Sequence, residues 1–92
     1  MHQSEVVIQH PVGLHARPAA VFVRLATSFP ASITIGKAGT DARTVNAKSI
    51  LGVLSLGANQ GDRIVITTTG EKEEEALNAL LELVRSNFGE GV

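Results

Sequence analysis

Residues 13–26 read GLHARPAAVFVRLA, and this stretch organises the prediction for the whole chain. A proline with no further breaker before Pro30 is typical of a first helical turn, so Pro18 predicts a helix that runs toward the next proline. Apolar residues recur at helical spacing and predict one buried helix face, made of Ala19, Phe22, Val23 and Ala26. His15 is therefore expected at the helix start.

The predicted helix start carries the chemistry that a phosphoryl group on histidine requires. The first amides of a helix lack carbonyl partners and the macrodipole is positive there, so an anion beside His15 is stabilised. Arg17 adds a cationic fork of donors, and the amides of Ala16 and Arg17 can bind phosphate oxygens. The same residues also fit a plain turn, with a solvated histidine next to a surface arginine.

Strand and helix patterns alternate through the rest of the chain. Strands are predicted over 4–9, 31–36, 42–46 and 63–69, and the β-branched density of the last suits a central strand. A final helix opens within 70–75 on an acidic run read as solvated, with a buried face of Leu77, Leu80, Leu81, Val84 and Phe88. Residues 89–92 are predicted to fray. The order βαββαβα predicts an α/β open-faced sandwich, a four-stranded antiparallel sheet with three helices on one face.

The segment 48–56 predicts a short helix with more apolar residues than one face needs. Ser49 is its expected N-cap, and Val53 and Leu56 are expected to face inward. That assignment leaves three aliphatic residues on the outer side: Ile50, Leu51 and Leu54. The pattern alone fits either an exposed binding surface or a fully buried helix.

Composition limits the function classes. The 92 residues suit one domain spanning 1–92, with a net charge of −1 and three aromatic residues, which disfavours nucleic-acid binding. The chain has no cysteine, and its histidines do not share a helix face, so no metal site is predicted. No apolar run is long enough for a membrane span, so the chain is expected to be soluble and cytoplasmic.

Two motifs give the chain a family resemblance. Residues 13–19, GLHARPA, and residues 45–57, VNAKSILGVLSLG, resemble HPr, the histidine-containing phosphocarrier of the sugar phosphotransferase system, almost from end to end. The resemblance implies that His15 accepts a phosphoryl group on Nδ1 from phosphorylated enzyme I and passes it to a sugar-specific IIA domain. It implies a stoichiometric carrier without a cofactor, and not an enzyme. It leaves open whether a sugar or a nitrogen-related branch is served.

The resemblance also implies a docking surface and a regulatory residue. It places Ile50, Leu51 and Leu54 on an outward patch that binds partners beside the histidine, with Ala20 and Arg24 contributing from the first helix. It matches Ser49 to the target of a serine kinase/phosphorylase in some lineages, and such a carrier also contacts a transcription regulator. A monomer is expected. The hairpin over 36–44 is about three residues longer than in the family, a surface change that should leave the active end intact.

Two other functions fit parts of the sequence. A small phosphatase of the acylphosphatase kind would use the α/β sandwich and an arginine, but it would leave His15 without a role. A histidine-independent module that binds transcription factors would leave the phosphoryl chemistry unused. Uptake of phosphate on His15 separates these functions from a carrier.

Overall fold

The computed structural model describes residues 1–11, 13–39 and 44–89. The strands are β1 (His2–Val7), β2 (Ser32–Lys37), β3 (Thr44–Asn46) and β4 (Arg63–Thr69), and the helices are α1 (Ala16–Thr27), α2 (Ile50–Ser55) and α3 (Glu73–Arg85). A 3₁₀ turn, Asn87–Gly89, follows α3. The predicted order βαββαβα is confirmed. Within the described ranges, no helix has the length and apolar character that crossing a bilayer requires.

The strands form one antiparallel sheet in the order β1-β4-β2-β3. Strand β4 is an inner strand, as its β-branched residues predict, and it lies beside the other inner strand, β2, where Ile66 pairs with Ile35. Strand β1 ends at Val7, two residues earlier than predicted. The reason is that Ile8 bonds instead to the loop before β4, donating to the Asp62 carbonyl oxygen over 2.9 Å.

One face of the sheet carries the core. Its central residues, Ile33, Ile35, Ile64 and Ile66, are fully or almost fully buried. Helix α1 adds Ala19, Phe22 and Ala26, and helix α3 adds Ala76, Leu77, Leu80, Leu81 and Val84. Val23 is half-buried rather than part of the core. The three helices lie on this face, so the predicted open-faced sandwich is confirmed.

The chain after α3 departs from the predicted helix. Phe88 is buried as expected, but the helix ends at Arg85, and Asn87 and Phe88 adopt left-handed backbone angles with φ of 56° and 58°. The reversal turns the Phe88 ring onto His10, with ring centroids 5.9 Å apart. Of the residues predicted to fray, Gly89 instead ends the 3₁₀ turn, with its amide bonded to the Ser86 carbonyl oxygen. Residues 90–92, and residues 40–43 within the predicted hairpin 36–44, lie outside the described residues.

The acidic run at the start of α3 is more than a solvated surface. The two carboxylate oxygens of Glu73 accept from the Met1 ammonium at 2.7 Å and from the Gly70 amide at 2.9 Å, and the His2 ring lies against the same carboxylate. The ammonium, then the Gly70 amide, then His2 lower the pKa of Glu73 to about 2. The reading of this run as purely solvated is therefore wrong for Glu73, which ties the start of β1 to α3.

Acid titration should reveal how much the Glu73 contacts contribute to stability. Because the pKa of Glu73 falls from 4.5 to about 2 on folding, its contribution is complete above pH 4.5 and is lost as the pH drops toward 2. We expect Glu73→Gln to flatten the decline in the free energy of unfolding over that window, measured by urea titration. The control Glu75→Gln, at an exposed residue of the same turn, should keep the wild-type slope. Equal slopes for all three proteins would contradict the assignment.

Candidate functional site

The loop before α1 has a backbone that only glycine fits at position 13. Gly13 has φ of +67°, and its amide donates to the His10 carbonyl oxygen at 3.0 Å. A Cβ there would lie 2.5 Å from the Ala58 carbonyl oxygen and 2.6 Å from the Asn59 Cα. The next amide, of Leu14, donates to the same Ala58 oxygen over 2.9 Å. Two distant segments are thus held backbone to backbone directly before His15.

His15 is the N-cap of α1. Its backbone is extended, with φ −90° and ψ −177°, and its carbonyl oxygen accepts the first helical hydrogen bond, from Ala19, at 2.8 Å. The ring makes no capping bond and the residue is exposed. Helix α1 begins at Ala16, so Pro18 stands third in the first turn. It costs no hydrogen bond there, because the first four amides of a helix have no intrahelical partner.

The surroundings of the ring are open and positive. Ala16 and Arg17 are exposed, and within residues 1–11, 13–39 and 44–89 no carbonyl oxygen accepts from their amides. The Arg17 guanidinium forms no ion pair with a carboxylate of that same part of the chain. Free amides, the helix macrodipole and a guanidinium together favour an anion beside His15.

Helix α2 packs against α1, and the segments that flank the two helices are bonded to each other. Before α2 begins, Lys48 Nζ donates to the Phe29 carbonyl oxygen beyond the end of α1, at 2.7 Å. After α2 ends, Ala58 accepts from Leu14 ahead of α1. These two anchors place the carboxyl end of α2 next to the helix start that carries His15.

The outer side of α2 exposes an aliphatic surface, which we name the α2 patch: Ile50, Leu51 and Leu54, at 37%, 77% and 36% exposure. Val53 and Leu56 are buried as predicted, so a fully buried α2 is excluded. On α1, Ala20 is half-buried and Arg24 is exposed. The structure therefore brings the predicted partner-binding residues onto two neighbouring helices, although their binding role stays a prediction.

Ser49 caps α2. Its backbone is extended, and its Oγ accepts from the Gly52 amide at 3.2 Å. The cap stands immediately before Ile50, at the end of the α2 patch that lies away from His15. The hydroxyl thus has a structural role whether or not it is modified.

Sequence reasoning missed two parts of this region. The sequence pattern predicts no role for the loop 57–62, yet its Ala58 and Asn59 backbone holds the segment before His15. His10 was grouped with the other histidines, but it is buried at 4% exposure against Phe88. The sequence signal for this loop is its two glycines, Gly57 and Gly61, which indicate a tight turn between them. In the part of the chain that the structure describes, no three His, Asp or Glu residues are placed to hold a metal ion.

Comparisons with known proteins agree on one family. The family model described as the phosphotransferase-system HPr component phosphorylation site matches residues 2–86. The phosphocarrier protein HPr of Pseudomonas aeruginosa is 42% identical over 87 residues, 95% of this chain and 94% of that protein. The HPr-like protein Crh of Halalkalibacterium halodurans is also 42% identical, over 91% of this chain and 96% of its own length.

A solved structure extends the likeness to the whole fold. The crystal structure of HPr-C-His from Thermoanaerobacter tengcongensis superposes with a TM-score of 0.91 at 43% identity, and the match covers 100% of both chains. Sequence and architecture therefore lead to the same assignment. The chain belongs to the HPr family, the phosphocarrier proteins of the phosphotransferase system.

Proposed function

We propose that the chain is a single HPr domain that carries a phosphoryl group on His15, taking it from phosphorylated enzyme I and giving it to a sugar-specific IIA domain. The observation that carries the proposal is the exposed His15 ring at the N-cap of α1, next to the amides of Ala16 and Arg17. The chain is a stoichiometric carrier, because each molecule holds one phosphoryl group at a time on His15. It needs no cofactor, because the phosphoryl donor is a protein.

The transfer step needs little more than position and charge. A lone pair on a neutral nitrogen of the His15 ring, Nδ1 by family likeness, forms a bond to phosphorus as the bond from phosphorus to the donor breaks in line with it. The bonding electrons return to the donor. The phosphoryl oxygens then lie against the Ala16 and Arg17 amides and the Arg17 guanidinium, which balance their charge. Discharge to IIA reverses the step.

Partner recognition is assigned to the α2 patch together with α1. Apolar side chains on the patch supply contact area, and the exposed guanidinium groups of Arg17 and Arg24 face outward toward acidic partner surfaces. A carrier must release each partner quickly, so the interface should be near the low end of the usual range, about 1,200 Å² in total. The aliphatic centre and cationic rim suit this short-lived contact.

We also propose regulation at Ser49, which is supported by its place beside the α2 patch. A phosphate on Ser49 stays compatible with the start of α2, but it puts negative charge beside apolar residues that partners must desolvate. A serine kinase/phosphorylase is the class of enzyme that would act there, and a transcription regulator is a candidate reader of the modified form.

Substitutions at Ser49 should separate the cap from the regulation. We expect Ser49→Ala to lower the free energy of unfolding by about 1 kcal/mol, because the bond to the Gly52 amide is lost. Ser49→Asp keeps an acceptor for that amide, so it should retain most of the stability while weakening enzyme I binding. Urea titration and calorimetric titration measure the two effects. Weaker binding by Ser49→Ala at full stability would contradict this division.

Charging with labelled phosphoenolpyruvate and enzyme I tests the proposed function. We expect one acid-labile, base-stable phosphate per chain, none in His15→Ala, and release of the label when a IIA domain is added. His2→Ala is the matched control, since His2 is also exposed, and it should be charged like the wild type. Continuous release of inorganic phosphate without accumulation would indicate a phosphatase, and an unlabelled wild-type protein would indicate a pure binding module.

Two further predictions can be tested by simple measurements. The chain is predicted to be a monomer, which sedimentation tests, and to be cytoplasmic, which cell fractionation tests. The branch that it serves is decided by its partners, so the panel of IIA domains that discharge it identifies the sugar or nitrogen-related system.

A further inference from the structure

We propose that Asp62 is a positioning residue for His15: its carboxylate shapes the turn 59–62, and that turn holds the backbone segment that places the imidazole at the start of α1. The proposal rests on the proposed function only for its effect on phosphoryl transfer. Its structural part concerns the uncharged protein and is tested separately.

Asp62 closes its turn twice. Its Oδ2 accepts from the Asn59 amide at 2.9 Å, and its own amide donates to the Asn59 carbonyl oxygen at 3.0 Å. The same Oδ2 lies 3.4 Å from Lys37 Nζ at the end of β2. The Asn59 amide, and after it Lys37, lower the pKa of Asp62 against the opposing effect of burial. The Asp62 carboxylate is therefore ionised throughout the neutral pH range, in which phosphorylation of His15 would take place.

The turn contacts the segment before His15 directly. Ala58, which precedes the turn, accepts from Leu14 at 2.9 Å, and the Asn59 backbone lies so close to Gly13 that no Cβ fits between them. On its other side the turn is bonded to Ile8, whose carbonyl oxygen accepts from the Gly61 amide at 2.8 Å. The turn and the residue before it are therefore bonded to both ends of the loop that leads from β1 to His15: to Ile8 after β1 and to Leu14 before His15.

The consequence concerns geometry rather than chemistry. His15 follows Leu14 directly, so a shift of the Ala58–Leu14 contact moves the ring relative to the Ala16 and Arg17 amides. Phosphoryl transfer needs reacting atoms aligned within a fraction of an ångström, and a small displacement slows it strongly. Asp62 makes no contact with the ring, so it acts only through this backbone path.

Hydrogen exchange on the uncharged protein tests the structural part. We expect Asp62→Ala to speed exchange of the Leu14 amide about tenfold, while amides of the inner strand β4 stay within a factor of two of wild type. Asp62→Asn should restore most of the protection, because its amide oxygen still accepts from Asn59. Uniform acceleration across the sheet, or an unchanged Leu14 amide, would overturn the proposal.

Transfer kinetics test the functional part. We expect Asp62→Ala to take phosphate from enzyme I about tenfold more slowly at saturating enzyme, with an unchanged half-saturation concentration, and Asp62→Asn to recover most of the rate. An unchanged rate despite faster Leu14 exchange would overturn the positioning role. If the wild type takes up no phosphate at all, the proposed function fails, whereas hydrogen exchange still judges the structural part.

Discussion

Gly13→Ala should destabilise the protein by about 2–4 kcal/mol and strongly slow phosphoryl uptake, the largest effect of a single methyl group that we expect. The alanine would keep a φ of +67°, which L-residues rarely adopt, and its Cβ would lie 2.5 Å from the Ala58 carbonyl oxygen. Backbone atoms cannot move aside as a flexible side chain can. The clash between the new Cβ and the Ala58 carbonyl oxygen can therefore be relieved only if the segment that carries His15 moves. Urea titration and the rate of charging by enzyme I measure the two consequences.

Gly57→Ala is the matched control. Gly57 has a similar φ of +62°, but a Cβ there would meet no other atom within 4 Å. It should cost only the left-handed backbone penalty, about 1 kcal/mol, and leave the charging rate at the wild-type value. The close contact at Gly13 would be contradicted if the two variants lost the same stability and charged equally well.

Leu51→Asp should weaken binding to enzyme I roughly thirtyfold, which corresponds to about 2 kcal/mol for the loss of an apolar anchor in an interface. Leu51 is 77% exposed in the free protein, so its own fold loses almost nothing, within about 0.5 kcal/mol. An aspartate there would also have to be desolvated on docking. Calorimetric titration with enzyme I gives the affinity, and thermal unfolding checks the stability.

Val7→Asp controls for the loss of an exposed aliphatic side chain. Val7 lies on the edge strand β1, where it pairs with Arg63 of β4. It is 39% exposed, on the sheet face away from the helices. It should leave enzyme I binding unchanged. Equal losses of affinity in both variants would mean that the α2 patch is not the docking surface.

The part of the fold that follows local rules could be predicted from the sequence. Pro18 and the apolar spacing after it locate α1, and the β-branched run 63–69 marks an inner strand, because helix capping and strand propensity act over a few residues. For the same reason His15 could be placed at a helix start. The sequence also predicts Ser49 as a helix cap, since a serine before an apolar helical run has few other local roles, and the structure confirms it.

What could not be predicted depends on contacts between distant segments. The spacing in α2 does not say which side another element covers, so the exposure of Leu51 had to come from the fold or the family. The left-handed turn that carries Phe88 back onto His10 has no glycine at its reversed positions to announce it. The link from Asp62 to Gly13 spans almost fifty residues, and only the folded chain reveals it.

Nitrogen and phosphorus NMR of the charged protein tests the central claim most directly. With ¹⁵N-labelled protein and enzyme I, we predict that the phosphorus couples to a ring nitrogen of His15 and that the Ala16 and Arg17 amide protons move downfield as they bind phosphoryl oxygens. The same amides in His15→Ala should not respond to enzyme I and phosphoenolpyruvate. Coupling to His2 or His10 instead, or a charged His15 with both amides unmoved, would contradict the account of a phosphoryl group held at the start of α1.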